Sequence, residues 1–134
     1  MTSKVTYTGA LRTTCEHLAS GNTFITDAPV DNNGLGQAFS PTDTVATALA
    51  SCMLTVMGIK ADSMPESIEG SYAEITKYMA ADPRRIIKIE AEVYMPKQVS
   101  ERNRKILENT ARTCPVLYSI HEKIEKIISF HWEL

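Results

Sequence analysis

The sequence predicts an α+β fold in which antiparallel sheets pack on one long, central, buried helix and on a second helix. Three observations predict it. Strand-like and helix-like segments follow one another in the order strands, helix, strands, helix, strand. Residues 85–95 alternate apolar and polar side chains throughout, which marks a strand with one buried and one wet face. The run 44–59 holds no charged residue and repeats its apolar side chains at three-and-four spacing. With 134 residues, 43% of them hydrophobic and 22% charged, the chain can bury a core of its own and reads as a single domain over 1–134.

The elements follow in order. Residues 4–8, 11–18 and 22–27 read as short strands, the last two separated by the turn residues Ser20 and Gly21. The segment APVDNNGLGQAFSP is a loop by its Gly, Asn, Asp and Pro content. Its Gly34-Leu35-Gly36 lacks the Lys-Ser/Thr of a phosphate loop, and Asp31-Asn32-Asn33-Gly34 lacks the alternating ligands of a calcium loop, so both are turns. The long helix starts at Ser40, a good N-cap, with Pro41 at the first helical position and Asp43 placed to bond back to the cap. Val45, Ala48, Leu49, Cys52, Val56 and Ile59 form one stripe, yet the remaining faces are apolar too, so several sides need cover. A subunit interface is the expected cover.

Residues 70–80 form the next strand, and Asp82-Pro83 connects it to 85–95, whose Ile87, Ile89, Ala91, Val93 and Met95 face the core. Ser100 caps a second helix with Asn103, Ile106, Leu107, Thr110, Ala111 and Cys114 on one stripe. Ile128, Phe130, Trp132 and Leu134 alternate as a last strand.

Charge narrows the function. A formal net charge of −2 offers no field for nucleic acid, and the clusters Arg84-Arg85 and Arg102-Asn103-Arg104-Lys105 read as solvated surface. The charge-free run 44–59 falls short of the roughly 18–20 residues that span a bilayer and carries Thr44, Thr47, Ser51 and Thr55, so no membrane span is expected. The opening MTSKVTYTGA has no apolar signal region, and a cytoplasmic location is expected. In that reducing compartment a disulfide among the three cysteines would be catalytic rather than structural.

Each cysteine has a plain and a chemical reading. Pro115 pushes Cys114 out of helical space and opens a new turn, which puts Cys114 at an N-cap where amides and the helix dipole favour a thiolate; the plain alternative is a small residue at a loop corner. Cys52 lies mid-helix, where cysteine usually serves as a small hydrophobe; reactivity there needs a cation from elsewhere in the fold, most simply an arginine. Cys15 and His17 share one strand face, but two ligands are too few for zinc, and His121 and His131 add no ligand spacing. No metal or bound cofactor is expected.

The stretches SPTDTVATALASCM and TCPV, with GALRTT, TDAPVDNNGLGQAFSPTD, PRR and LENTARTCPV, resemble the OsmC-like, or organic hydroperoxide resistance, family over almost the whole chain. That resemblance implies an intertwined homodimer with the long helices at its centre. It implies a peroxidase in which Cys52 attacks an organic hydroperoxide and Cys114 resolves the sulfenic acid as a Cys52–Cys114 disulfide, reduced by an external dithiol such as a lipoylated protein. Arg12 in GALRTT is the candidate for the family's arginine. The family's glutamate after the motif proline is replaced by Thr42, and Asp43 comes one position later, turned by roughly 100°. That departure favours an alternative: a non-catalytic dimer of the same fold that binds a small apolar ligand and carries structural cysteines.

Overall fold

Two strand pairs and the capped first turn of a helix organise the first of two units, Met1–Val45. The structure is a computed structural model and describes all of residues 1–134. Strands β1 (Ser3–Gly9), β2 (Arg12–His17) and β3 (Thr23–Asp27) form an antiparallel sheet in that order. The β2–β3 turn closes with the His17 N–H on the Asn22 carbonyl at 2.8 Å, which sets Cys15 opposite Phe24 and Arg12 opposite Asp27. The β1–β2 turn is tighter. Ala10 and Leu11 both hold left-handed backbone, at φ +53° and +61°, where side-chain-bearing residues are disfavoured by roughly 1–2 kcal/mol each. After β3 the chain makes a single 3-10 turn (Val30–Asn32) and folds back on itself. At Gly34 a Cβ would lie 1.7 Å from the Ala28 carbonyl oxygen, so the loop closes only over a glycine.

Helix α1 (Pro41–Ala61) opens with a reciprocal cap. The Asp43 N–H donates to Ser40 Oγ at 3.0 Å, and the Ser40 N–H donates to Asp43 Oδ2 at 2.8 Å. This satisfies two helix-start donors and places a carboxylate at the positive helix end, as Ser40 and Asp43 predict.

The second unit, Ala46–Leu134, holds most of α1, then β4 (Tyr72–Ala80), β5 (Arg85–Met95), α2 (Glu101–Ala111), α3 (Pro115–Ser119) and β6 (Glu125–Trp132). Its sheet runs β4-β5-β6. β4 and β5 are antiparallel, but β5 and β6 are parallel, so this sheet is mixed where an antiparallel one was expected. The connection through residues 96–124, with its two helices, returns the chain to the start of the sheet and lets β6 run alongside β5. Inside the sheet a bulge shifts the register between Tyr78 and Met79, so Tyr78 pairs with Lys88 and Met79 with Ile86. Ile87 is the extra residue; it faces solvent at 40% exposure, against the expectation of a core position, and Ile86 packs inward instead.

The core of this unit is Leu49, Met53 and Met57 of α1 against Ile89, Val93 and Met95 of β5, closed by Leu107 and Ala111 of α2 and by Cys114. Each large side chain so buried contributes about 1.5–3 kcal/mol. α1 uses only part of its circumference for this. Val45 and Ile59 remain exposed, and a third of its most apolar 18-residue window is buried. The helix is also longer than its charge-free run: at 21 residues it is, by length and composition, apolar enough to cross a membrane.

The basic clusters behave as solvated surface in part. Arg102 and Lys105 are exposed, whereas Arg104 lies 5.3 Å over the Trp132 ring and donates to the Val99 carbonyl at 2.8 Å. Glu66, in the loop after α1, accepts from the Ser100 N–H at 3.1 Å and from Asn103 Nδ2 at 2.7 Å, clasping the start of α2.

Candidate active site

Cys52 and Cys114 come together from opposite ends of the second unit's sequence. α1 delivers Cys52 half-buried against the core cluster of which Cys114 is a fully buried member. The placement of Cys114 follows from three local choices. α2 stops at Ala111, three positions before the stripe would have reached Cys114. Thr113 then folds its hydroxyl back onto the Thr110 carbonyl at 2.7 Å. Pro115 forces extended backbone on Cys114 (φ −66°, ψ 140°) and starts α3. Cys114 is therefore the N-cap of α3, and its sulfur accepts the Leu117 N–H at 3.3 Å.

The N-cap geometry is as predicted, and of the two readings of its thiol the favoured thiolate is the one opposed. Burial pushes the Cys114 thiol above its ordinary value; the Leu117 amide pulls the other way and loses. The neighbouring Cys52 side chain raises it further, by hydrogen bonding and by its charge. Two adjacent thiols in an apolar setting cannot both ionise readily. Both are free, with no bond between them. Val116, Leu117, Ile120 and Ile124 pack around the same cluster, so the surroundings are apolar.

Arg12 belongs to the first unit. Its Nη2 donates to Gln37 Oε1 at 2.6 Å and meets Asp27 Oδ2 at 3.4 Å, and the Gln37 N–H donates to the same Asp27 oxygen at 2.9 Å. Asp27 is fully buried, and the Gln37 amide, together with Arg12, holds its carboxyl below the usual carboxylate range despite that burial. Asp27 and Gln37 were not among the sequence candidates. Counting outward from Ser20-Gly21 pairs Arg12 with Pro29; the ladder is centred between Ala19 and Ser20 and sets Arg12 opposite Asp27 instead.

The remaining candidates settle into local roles. Thr42 shares a hydrogen bond with Ser40 Oγ at 3.2 Å, and Asp43 takes its capping position. Cys15 Sγ lies 3.8 Å from Thr13 Oγ1, and His17 Nδ1 lies 2.7 Å from Ser20 Oγ. His131 pairs with Glu92 and stacks on Tyr94. No three His, Cys, Asp or Glu side chains gather as a metal site. A cavity of about 630 Å³ lies between the C-terminal half of α1 and the loop that follows, lined by Leu54, Gly58, Met64 and Ile68 among others, and neither cysteine of the pair lines it.

An α+β chain with a mixed sheet, a capped apolar helix and a reduced thiol pair defines a dithiol protein. The comparisons name the group. The OsmC-like protein family matches residues 34–128, and the chain belongs to that family. A solved structure from Psychrobacter arcticus 273-4, of a protein described by osmotic stress induction and a detoxification response, is 54% identical; the match covers 98% of this chain and 96% of that one, with a TM-score of 0.93. The organic hydroperoxide resistance protein OsmC of Legionella pneumophila shares the fold at 16% identity, covering 98% and 97%, with a TM-score of 0.75. An organic hydroperoxide resistance protein of Elizabethkingia anophelis with thiocyanate bound does so at 14% identity, covering 99% and 97%, with a TM-score of 0.76. No curated protein sequence matches the chain.

Proposed function

We propose that this chain is a thiol peroxidase for organic hydroperoxides, working through Cys52 and Cys114. The observation that carries the reading is the pair itself: two free thiols side by side, one half-exposed and one buried with its ionisation disfavoured. That asymmetry supports a division of roles. The Cys52 thiolate attacks the terminal oxygen of R–O–OH, the O–O bond breaks, and the alkoxide leaves as the alcohol after taking a proton, leaving a Cys52 sulfenic acid. The protonated Cys114 thiol then condenses with it, forming the Cys52–Cys114 disulfide and releasing water. An external dithiol, such as a lipoyl group on a protein, returns both thiols and is itself oxidised to a disulfide. Apolar surroundings suit an alkyl-bearing peroxide.

The active form in this reading is a cytoplasmic homodimer. The uncovered apolar side chains of α1 and of the first sheet, such as Ile59 at 68% exposure and Val5 at 61%, support burial against a second copy rather than in a membrane. A monomeric mass at low micromolar concentration would count against it.

The test is a thiol titration. On addition of stoichiometric cumene hydroperoxide, two thiols per chain should vanish rapidly; Cys52→Ser should abolish this, and Cys114→Ser should stop at a sulfenic acid that dimedone captures. An unchanged titre removes the peroxidase reading. Thermal stabilisation by small apolar molecules without peroxide consumption would instead establish the non-catalytic binding dimer, which Thr42 in the glutamate position favours.

A further inference from the structure

We propose that the cleft between the C-terminal end of α1 and the loop 62–71 is a binding site for an amphiphilic organic cation, an amine or quaternary ammonium with an apolar body. The cleft lies wholly within the second unit, and neither cysteine of the pair lines it, so the inference stands apart from the peroxidase reading.

α1 divides its circumference. Leu49, Met53 and Met57 turn to the core, and Cys52 and the exposed Ile59 share a second face. Leu54, Gly58, Ala61 and Asp62 recur at the spacing of a further face, and all four line the cleft. Met64 and Ile68, both half-buried, form the opposite wall. At about 630 Å³ the cleft has the size of a small-molecule site.

That wall is held before any ligand arrives. The Met64 N–H donates to the Ala61 carbonyl at 2.8 Å, and the N–H and hydroxyl of Ser71 donate to the Ile68 carbonyl at 3.1 and 2.6 Å. The clasp of Glu66 on Ser100 and Asn103 fixes the middle of the loop. Binding to a preformed cleft avoids the entropy of ordering one.

Gly58 has no packing explanation. Glycine is, after proline, the least favoured residue in a helix interior. No neighbour requires it here, since a Cβ would meet nothing within 4 Å. The open space over Gly58 leaves the helix backbone within reach of whatever occupies the cleft.

Charge specifies the occupant. Asp62 and Glu69 are exposed at the rim, and neither carboxylate is in an ion pair. α1 ends at Ala61, so the negative end of its dipole adds to theirs. Lys60, the basic residue of the last turn, does not line the cleft. Apolar walls beneath uncompensated negative charge match a cationic head on an apolar body and oppose an anionic one.

The experiment titrates the isotope-labelled chain with n-octyltrimethylammonium and follows the backbone amides by NMR. Gly58, Ile68, Gly70 and Ser71 should shift together and saturate, with a Kd of about 1 mM or tighter. n-Octanesulfonate, of similar length and opposite charge, should bind at least about threefold more weakly, and added salt should narrow the difference. Asp62→Asn with Glu69→Gln, at exposed side chains, should weaken the cation by roughly two- to tenfold. Gly58→Leu, a better helix former whose side chain enters the cleft, should abolish the shifts; if it does not fold, the charge variant decides alone. Failure of these amides to saturate overturns the inference. So does equal affinity for the sulfonate, an unchanged Kd in the charge variant, binding that survives Gly58→Leu, or shifts centred on Cys52 and Ile59 instead.

Discussion

Ser40→Ala tests whether the start of α1 is held by its reciprocal cap. Ser40 is 1% exposed, and its hydroxyl accepts the Asp43 N–H at 3.0 Å while lying 3.2 Å from Thr42 Oγ1. Replacing a capping serine by alanine costs about 0.5–2 kcal/mol. The burial of Ser40 puts this site at the upper end, because the freed Asp43 amide cannot turn to bulk water. A loss near 1.5 kcal/mol, with a urea dependence of about 1–3 kcal/mol per molar, lowers the unfolding midpoint by roughly 0.5–1.5 M. Protein concentration is kept constant, since any self-association shifts the midpoint. Asp43→Ala should cost a similar amount. The double variant should cost less than the two together, because each single change already breaks the same box. Thr55→Ala is the control: it removes a solvent-exposed hydroxyl that only back-bonds to the Ser51 carbonyl. If Ser40→Ala unfolds at the same urea concentration as Thr55→Ala, the cap does not stabilise the helix that carries Cys52.

Two further outcomes are expected. Leu107→Ala empties a fully buried position beside Ala111 and Cys114, and should destabilise the chain by about 2–5 kcal/mol in the same titration, whereas Leu35→Ala, at an exposed loop residue, should move the midpoint little. Glu66 is held below its ordinary value of 4.5, chiefly by the Ser100 N–H and then by Asn103, so its contribution to stability is present above that value and is lost as pH falls through the lower folded value. Glu66→Gln should therefore be less stable at neutral pH and lose less stability on acidification below about pH 4.5; parallel acid limbs would show that the clasp on α2 carries no charge-dependent stability.

The parts of the fold legible in the sequence are those governed by neighbours along the chain. Ser40-Pro41 with Asp43 specifies a cap from adjacent residues, and Cys114-Pro115 specifies another, and both form. The alternation of 85–95 specifies a strand, yet the same pattern serves a parallel or an antiparallel partner, so the direction of β6 was hidden. Ile87 was assigned inward because a bulge resets the alternation, and the bulge depends on how β4 meets β5. The stripe of α2 continued on paper to Cys114, whereas the helix ends at Ala111 and hands Cys114 to α3. The sequence left the state of its thiol open between two readings, because burial comes from α1 and β5 and no local motif reports it. Of the candidate site, Cys52 and Cys114 were visible through their motifs. Asp27 and Gln37 were not, because a loop and a hairpin register bring them to Arg12.

The parallel docking of β6 carries a consequence for biosynthesis. Cys114 lies in the crossover between β5 and β6, so its resting place is finished only once the C-terminal strand has joined the sheet. Cys52 leaves the ribosome long before that, and N-terminal segments organise first. On the proposed chemistry, a nascent chain therefore passes through an interval with an attacking thiol and no resolver, when a second oxidant molecule can carry it to the irreversible sulfinic stage. Oxidant given during translation should leave more over-oxidised Cys52 than the same dose given after release.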